Sequence, residues 1–206
     1  MQAALDYFDR GGPVMYVLLA CSVIASAIFV ERMIALRTGA IAPKALLHEV
    51  RELLKGDKLA EAIARSVGSG TAMGAIFAAV LRKSDAPEAV LKEAAQEVGR
   101  REAARMERFV EAVGVIAALG PLLGLLGTVL GMIKVFQKVN EVGAGSPVEM
   151  AAGIWEALVA TAFGLIVGIP ALVMYRATLA RVDSAVLQLE DDAGALVDVV
   201  AKDARL

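Results

Sequence analysis

The chain has 206 residues, 58% of them hydrophobic, with a mean hydropathy of +0.64. A soluble domain is about 45–50% apolar, so the excess places the chain among membrane proteins. The net charge of −2, one cysteine and one histidine exclude a disulfide framework and a His- or Cys-built metal site, and no basic stripe with interleaved aromatics suggests nucleic acid.

Residues 1–11 are short and mixed. Ala3, Leu5, Tyr7 and Phe8 suit a small interfacial helix, and a frayed end fits as well. Residues 12–30 are uncharged over about the length of a span, with Pro13 in the first turn. Asp6 and Asp9 precede this run and Glu31 and Arg32 follow it, unlike a cleaved signal peptide, so it is expected to stay as the first transmembrane helix.

Residues 31–108 read as a cytoplasmic helical domain. One helix from Pro43 carries Leu46, Leu47, Val50, Leu53 and Leu54 on one face, with His48 on the polar side, and stops at Gly56. Asp57 is expected to cap the next helix, which ends at Gly68. Residues 71–81 are apolar but too short to span, so they predict a buried helix. Ser84 or Asp85 is expected to cap one long helix from Pro87 to about Asn140. Its charges Arg100, Arg101, Glu102, Arg105, Glu107 and Arg108 form a solvated collar.

Residues 109–136 hold the second span. Gly120, Gly124, Gly127 and Gly131 fall on one helix face, and Pro121 is expected to kink the helix. Residues 137–150 have the turn chemistry of an outward (periplasmic) loop, and Ser146 and Pro147 can open the next helix. Residues 151–175 hold the third span, where Gly153, Ala157, Ala160, Gly164, Gly168 and Ala171 share a face. Such stripes let backbones approach closely in lipid. Residues 176–206 continue as a cytoplasmic helix, whose Val182, Val186, Leu189, Ala193, Leu196 and Val200 make a packing seam.

Most of the 21 Lys and Arg residues lie between Arg32 and Arg108, which puts that segment and the tail in the cytoplasm and the N-terminus outside. Polar groups flank the two small-residue stripes: Thr128 in the second span, Glu156 and Thr161 in the third. A mid-span charge costs about 2.5–3.5 kcal/mol on insertion scales, so Glu156 is a candidate functional group, with an interfacial carboxylate as the rival reading. A threonine in a span often does no more than bond its own backbone. No Walker, G-x-S-x-G or H-E-x-x-H motif is present, so nothing argues for an enzyme, a metal or a cofactor.

GPLLGLLGTVLGMIKVF, a short loop, then GIWEALVATAFGLIVGIPALVMY resembles the ExbB/TolQ/MotA proton-channel family, and ExbB and TolQ most. The resemblance implies an all-α membrane protein in the bacterial inner membrane. Three transmembrane helices with long cytoplasmic extensions would assemble as a homopentamer around a central pore. Two helices of an ExbD/TolR-like single-span partner would sit inside, its intramembrane aspartate carrying the proton. The motor would work on a TonB- or TolA-like protein. Thr128, Glu156 and Thr161 match the family's pore residues: the threonines would bond the partner's carboxylate or a water, and Glu156 would help set the field and hydration. A stator for gliding or secretion, or a non-conducting membrane scaffold, stands as the alternative.

Overall fold

The computed structural model describes residues 12–142 and 147–203. The readings for residues 1–11 and for Gly143, Gly145 and Ser146 fall outside these. All secondary structure among the described residues is helical. We number the helices α1 (Pro13–Ala35), α2 (Thr38–Ile41), α3 (Lys44–Lys55), α4 (Leu59–Gly68), α5 (Ala72–Leu81), α6 (Glu88–Glu107), α7 (Val110–Val142) and α8 (Pro147–Asp203). Three helical stretches are long and apolar enough to cross a membrane: α1, the stretch containing α7, and α8.

The chain divides into two compact units. One contains the residues up to Val30 together with Phe109–Ala177; the other contains Glu31–Arg108 and the residues from Thr178 on.

The second unit has a packed apolar core. Leu46 and Val50 of α3, Phe77 and Leu81 of α5, Leu91 of α6, and Val182, Leu189, Leu196 and Val200 of α8 are buried together. Thus the apolar seam of the last helix closes on α3, α5 and α6 of its own chain. Helix α5 packs against both α4 and α6. That explains a helix apolar on every side yet too short to span. Its N-cap is Thr71, whose hydroxyl accepts from the Gly74 amide at 3.1 Å. Gly74 is pressed against α4's end, and a Cβ there would collide with Ser69 Oγ and the Ser66 carbonyl. Gly74→Ala is therefore expected to cost about 1–3 kcal/mol, read as a lower thermal midpoint of the full chain in detergent.

Several local expectations are corrected. Asp57 is not a cap: α4 begins after Lys58 with no side-chain cap bond. Instead Asp57 takes a left-handed conformation (φ 54°) and ends α3. Its amide donates to Leu54 O at 2.9 Å, and the Lys58 amide donates to Leu53 O at 3.0 Å. This is a Schellman closure with Asp rather than the adjacent Gly56 in the left-handed position. Neither Ser84 nor Asp85 caps α6, which starts after Pro87 without a side-chain cap bond.

The single helix expected from Pro87 to Asn140 is broken at Arg108 and Phe109. Arg108 leaves helical geometry (ψ 130°) and Phe109 is left-handed (φ 65°). The freed carbonyls at the end of α6 find a donor: the Arg32 guanidinium reaches Arg105 O at 3.3 Å and Met106 O at 3.4 Å. Helix also covers 137–142 and 147–150, where turn chemistry suggested a loop, and α1 runs on through Glu31 and Arg32 to Ala35.

In the first unit the three apolar helices meet. Ala25 of α1, Val113 and Ala117 of α7 and Ala171 of α8 are buried in one cluster. The outer faces are open and greasy. Leu122, Leu125, Val129, Ile133 and Phe136 on α7, and Leu158, Ile166, Ile169 and Val173 on α8, are all exposed. An apolar face of this extent suits acyl chains or another membrane helix.

Candidate pore-wall site on α7 and α8

The two small-residue stripes face each other. A Cβ built on Gly120 would lie 2.9 Å from Gly168 Cα and 3.0 Å from Gly164 O. On Gly124 it would lie 3.0 Å from Ala160 O and from Thr161 Cα, and on Gly131 it would lie 2.9 Å from Ala157 Cβ. Gly127 packs on Ala160, and Gly153 packs on Val135. Residue numbers on the two helices run in opposite senses along this contact, so α7 and α8 are antiparallel partners at backbone range. Seen from α8, a Cβ on Gly164 would sit 2.6 Å from Gly120 O and 2.8 Å from Gly124 Cα. Only hydrogen in place of a side chain permits this approach, which supplies the dispersion contact that holds helices together in lipid.

Pro121 lies within continuous α7, and its ring packs on Gly168. A second proline, Pro170, sits inside α8. Each removes one backbone donor from its helix.

The three candidate polar residues take three different partners. Thr128 is half-buried, and its hydroxyl donates to Leu125 O at 2.6 Å, a bond within its own helix. Thr161, also half-buried, donates across the interface to Gly124 O at 3.2 Å. Gly124 is one helical turn from Thr128, so both hydroxyls sit on neighbouring turns of the same wall. Glu156 accepts from Lys134 Nζ at 2.7 Å, an ion pair between α8 and α7.

Lys134 was not among the residues singled out from the sequence. Its signal was present but unusable alone. Once Gly131 is known to oppose Ala157, the antiparallel register brings Lys134 to within a turn of Glu156. Gly12, before α1, is the other addition: a Cβ there would lie 3.1 Å from Glu156 Oε1. Among the described residues no group of three or more His, Cys, Asp or Glu could hold a metal.

An antiparallel pair of glycine-seamed apolar helices, with hydroxyls and one ion pair along the seam, defines a membrane-helix wall built for close assembly. Residues 68–191, which include the whole of this wall, match the MotA/TolQ/ExbB proton channel family. The chain is 36% identical over 180 residues to the biopolymer transport protein ExbB-like 1 of Synechocystis sp., covering 84% of this chain and 69% of that protein. It is 29% identical over 209 residues to the biopolymer transport protein ExbB of Salmonella typhimurium, covering 92% and 81%. With the Tol-Pal system protein TolQ of Haemophilus influenzae it shares 34% identity over 117 residues, 55% of this chain and 50% of that one. The chain belongs to the MotA/TolQ/ExbB proton channel family.

Proposed function

We propose that this chain is the channel-forming subunit of a proton-driven motor in the bacterial inner membrane. Copies assemble, as a pentamer, with α7 and α8 walling a central pore. The N-terminus faces the periplasm and the second unit lies in the cytoplasm. An ExbD/TolR-like single-span protein supplies the moving acid, and the output is mechanical work on a TonB- or TolA-like protein. Thr128 and Thr161 offer hydroxyls to that acid or to water beside it, and Glu156 contributes to the field at one end of the wall.

The observation that carries this reading is the acid inventory of the spans. No Asp or Glu lies between Glu111 and Glu141 on α7, or between Glu156 and Asp183 on α8. Glu156 itself is already held by Lys134. A proton path through these helices thus has hydroxyls and no free carboxylate, and a second protein has to provide one. The available force is about 2.3 kcal/mol per charge per 100 mV, enough to drive a stepwise movement of that acid.

The test is reconstitution. The full chain is purified alone and with a co-expressed single-span protein carrying one intramembrane aspartate, then placed in vesicles with an internal pH dye. Under an imposed potential, acidification is expected only with both proteins, and the complex mass should fit five copies of this chain. Equal flux from this chain alone would remove the need for a partner's acid. No complex with any such protein would favour the scaffold reading.

A further inference from the structure

The Lys134–Glu156 ion pair joins helices that already touch, and it also engages a third segment. Nζ and Oε1 are 2.7 Å apart, the range of a charge-assisted hydrogen bond. Glu156 is the more enclosed partner, its side chain 27% exposed against 56% for Lys134. Gly12 covers the carboxylate. A Cβ there would stand 3.1 Å from Glu156 Oε1 and 3.9 Å from Lys134 Nζ, and the φ of +70° is one that side-chain-bearing residues rarely adopt. The start of α1, the last turns of α7 and the first turns of α8 therefore converge on one ion pair.

We infer that Lys134 is a positioning residue for the pore wall. It fixes the Glu156 carboxylate and clamps α7 to α8 at the last contacts of the glycine seam, while Gly12 seats α1 over the clamp. On this assignment, which rests on the ion-path reading above, Glu156 acts as half of a fixed dipole and is not a station in proton transfer. Two features support this. The pair falls between the last two glycine contacts, Gly131 on Ala157 and Gly153 on Val135, so it ties the helices where the seam runs out. A lone carboxylate or a lone ammonium at a low-dielectric helix interface is unfavourable, whereas the hydrogen-bonded pair satisfies both groups. The pair also makes chemical sense of a lysine in an otherwise apolar turn flanked by Ile133 and Val135.

Charge exchange tests the assignment. Lys134→Glu and Glu156→Lys are made singly and together in the full chain, with Lys134→Met and Lys134→Arg alongside. Each is read twice: by thermal unfolding in detergent, which needs no partner, and by dye-reported proton flux with the single-span partner. Each single reversal and Lys134→Met should lower the unfolding midpoint and cut flux at least tenfold. Lys134→Arg and the double exchange should recover the midpoint and bring flux to within about threefold of wild type. Recovery of the midpoint without recovery of flux would show that a carboxylate is needed at position 156 itself and would overturn the assignment. So would a Lys134→Met chain that matches wild type in both readings. If the wild-type complex carries no flux at all, the motor reading fails, while the unfolding series still decides the clamp.

Discussion

Gly124→Leu is expected to prevent α7 and α8 from packing, with a loss well beyond a typical core substitution. The Cβ alone would lie 3.0 Å from the Ala160 carbonyl oxygen and the Thr161 Cα, which are backbone atoms with no freedom to turn away. Leucine adds three more carbons at the same place. Overpacking a well-filled core costs about 1–3 kcal/mol when side chains can adjust. Here the facing backbone has to move, and the Thr161–Gly124 bond at 3.2 Å is lost with it. The expected result is a full chain that inserts but gives no monodisperse complex on size exclusion, with the unfolding midpoint lowered or the transition lost. Gly164→Leu should behave alike, since its Cβ would meet Gly120 O at 2.6 Å. Gly194→Ala is the matched control. It is a helical glycine with nothing within 4 Å of the added carbon, so alanine should gain about 0.5–1 kcal/mol of helix stability. An assembled, wild-type-like Gly124→Leu complex would mean that the two stripes do not meet.

Thr161→Val is expected to stop energised proton flux while leaving assembly in place. Valine keeps the shape and removes the donor. Loss of the bond to Gly124 O costs about 0.5–1.5 kcal/mol, too little to dismantle the complex. In the proposed pore the same hydroxyl is the group an incoming acid or water would bond, so flux should fall at least tenfold. Thr161→Ser should keep most of it. Thr128→Val should fall less, because the Thr128 hydroxyl is held by Leu125 O at 2.6 Å, more tightly than Thr161 is held by Gly124 O at 3.2 Å. The measurement is dye-reported flux in vesicles beside size exclusion of the same preparations. Wild-type flux from Thr161→Val would remove Thr161 from the path.

The resemblance drawn from two segments of sequence holds: the match to the MotA/TolQ/ExbB family spans both. Those segments were legible because glycines at helical spacing and long uncharged runs are local patterns that need no knowledge of the fold. The same locality explains α5. Eleven apolar residues are too few to span, and the structure buries Met73, Ile76, Phe77, Val80 and Leu81 of that run. Where a local signal was missing or ambiguous, the sequence misled. Arg108 and Phe109 carry no Gly or Pro, so the break between α6 and α7 had no punctuation to announce it. It survives because Arg32, distant in sequence, takes up the carbonyls at the end of α6. At the end of α3, Gly56 is the residue that composition favours for a left-handed turn, yet Asp57 adopts it. The choice belongs to the closing hydrogen bonds from Asp57 and Lys58.

Period and length in the sequence alone determined that the protein is helical, that three stretches can cross a membrane, and which residues of those stretches share a face. Which faces meet was decided only by the tertiary structure. A stripe states that something comes close; it does not say what. The register that sets Gly120 against Gly168, Gly124 against Thr161 and Lys134 against Glu156 depends on how two antiparallel helices fit along their whole lengths. Backbone contact and charge pairing between distant residues are cooperative properties of that fit, and no window of sequence contains them.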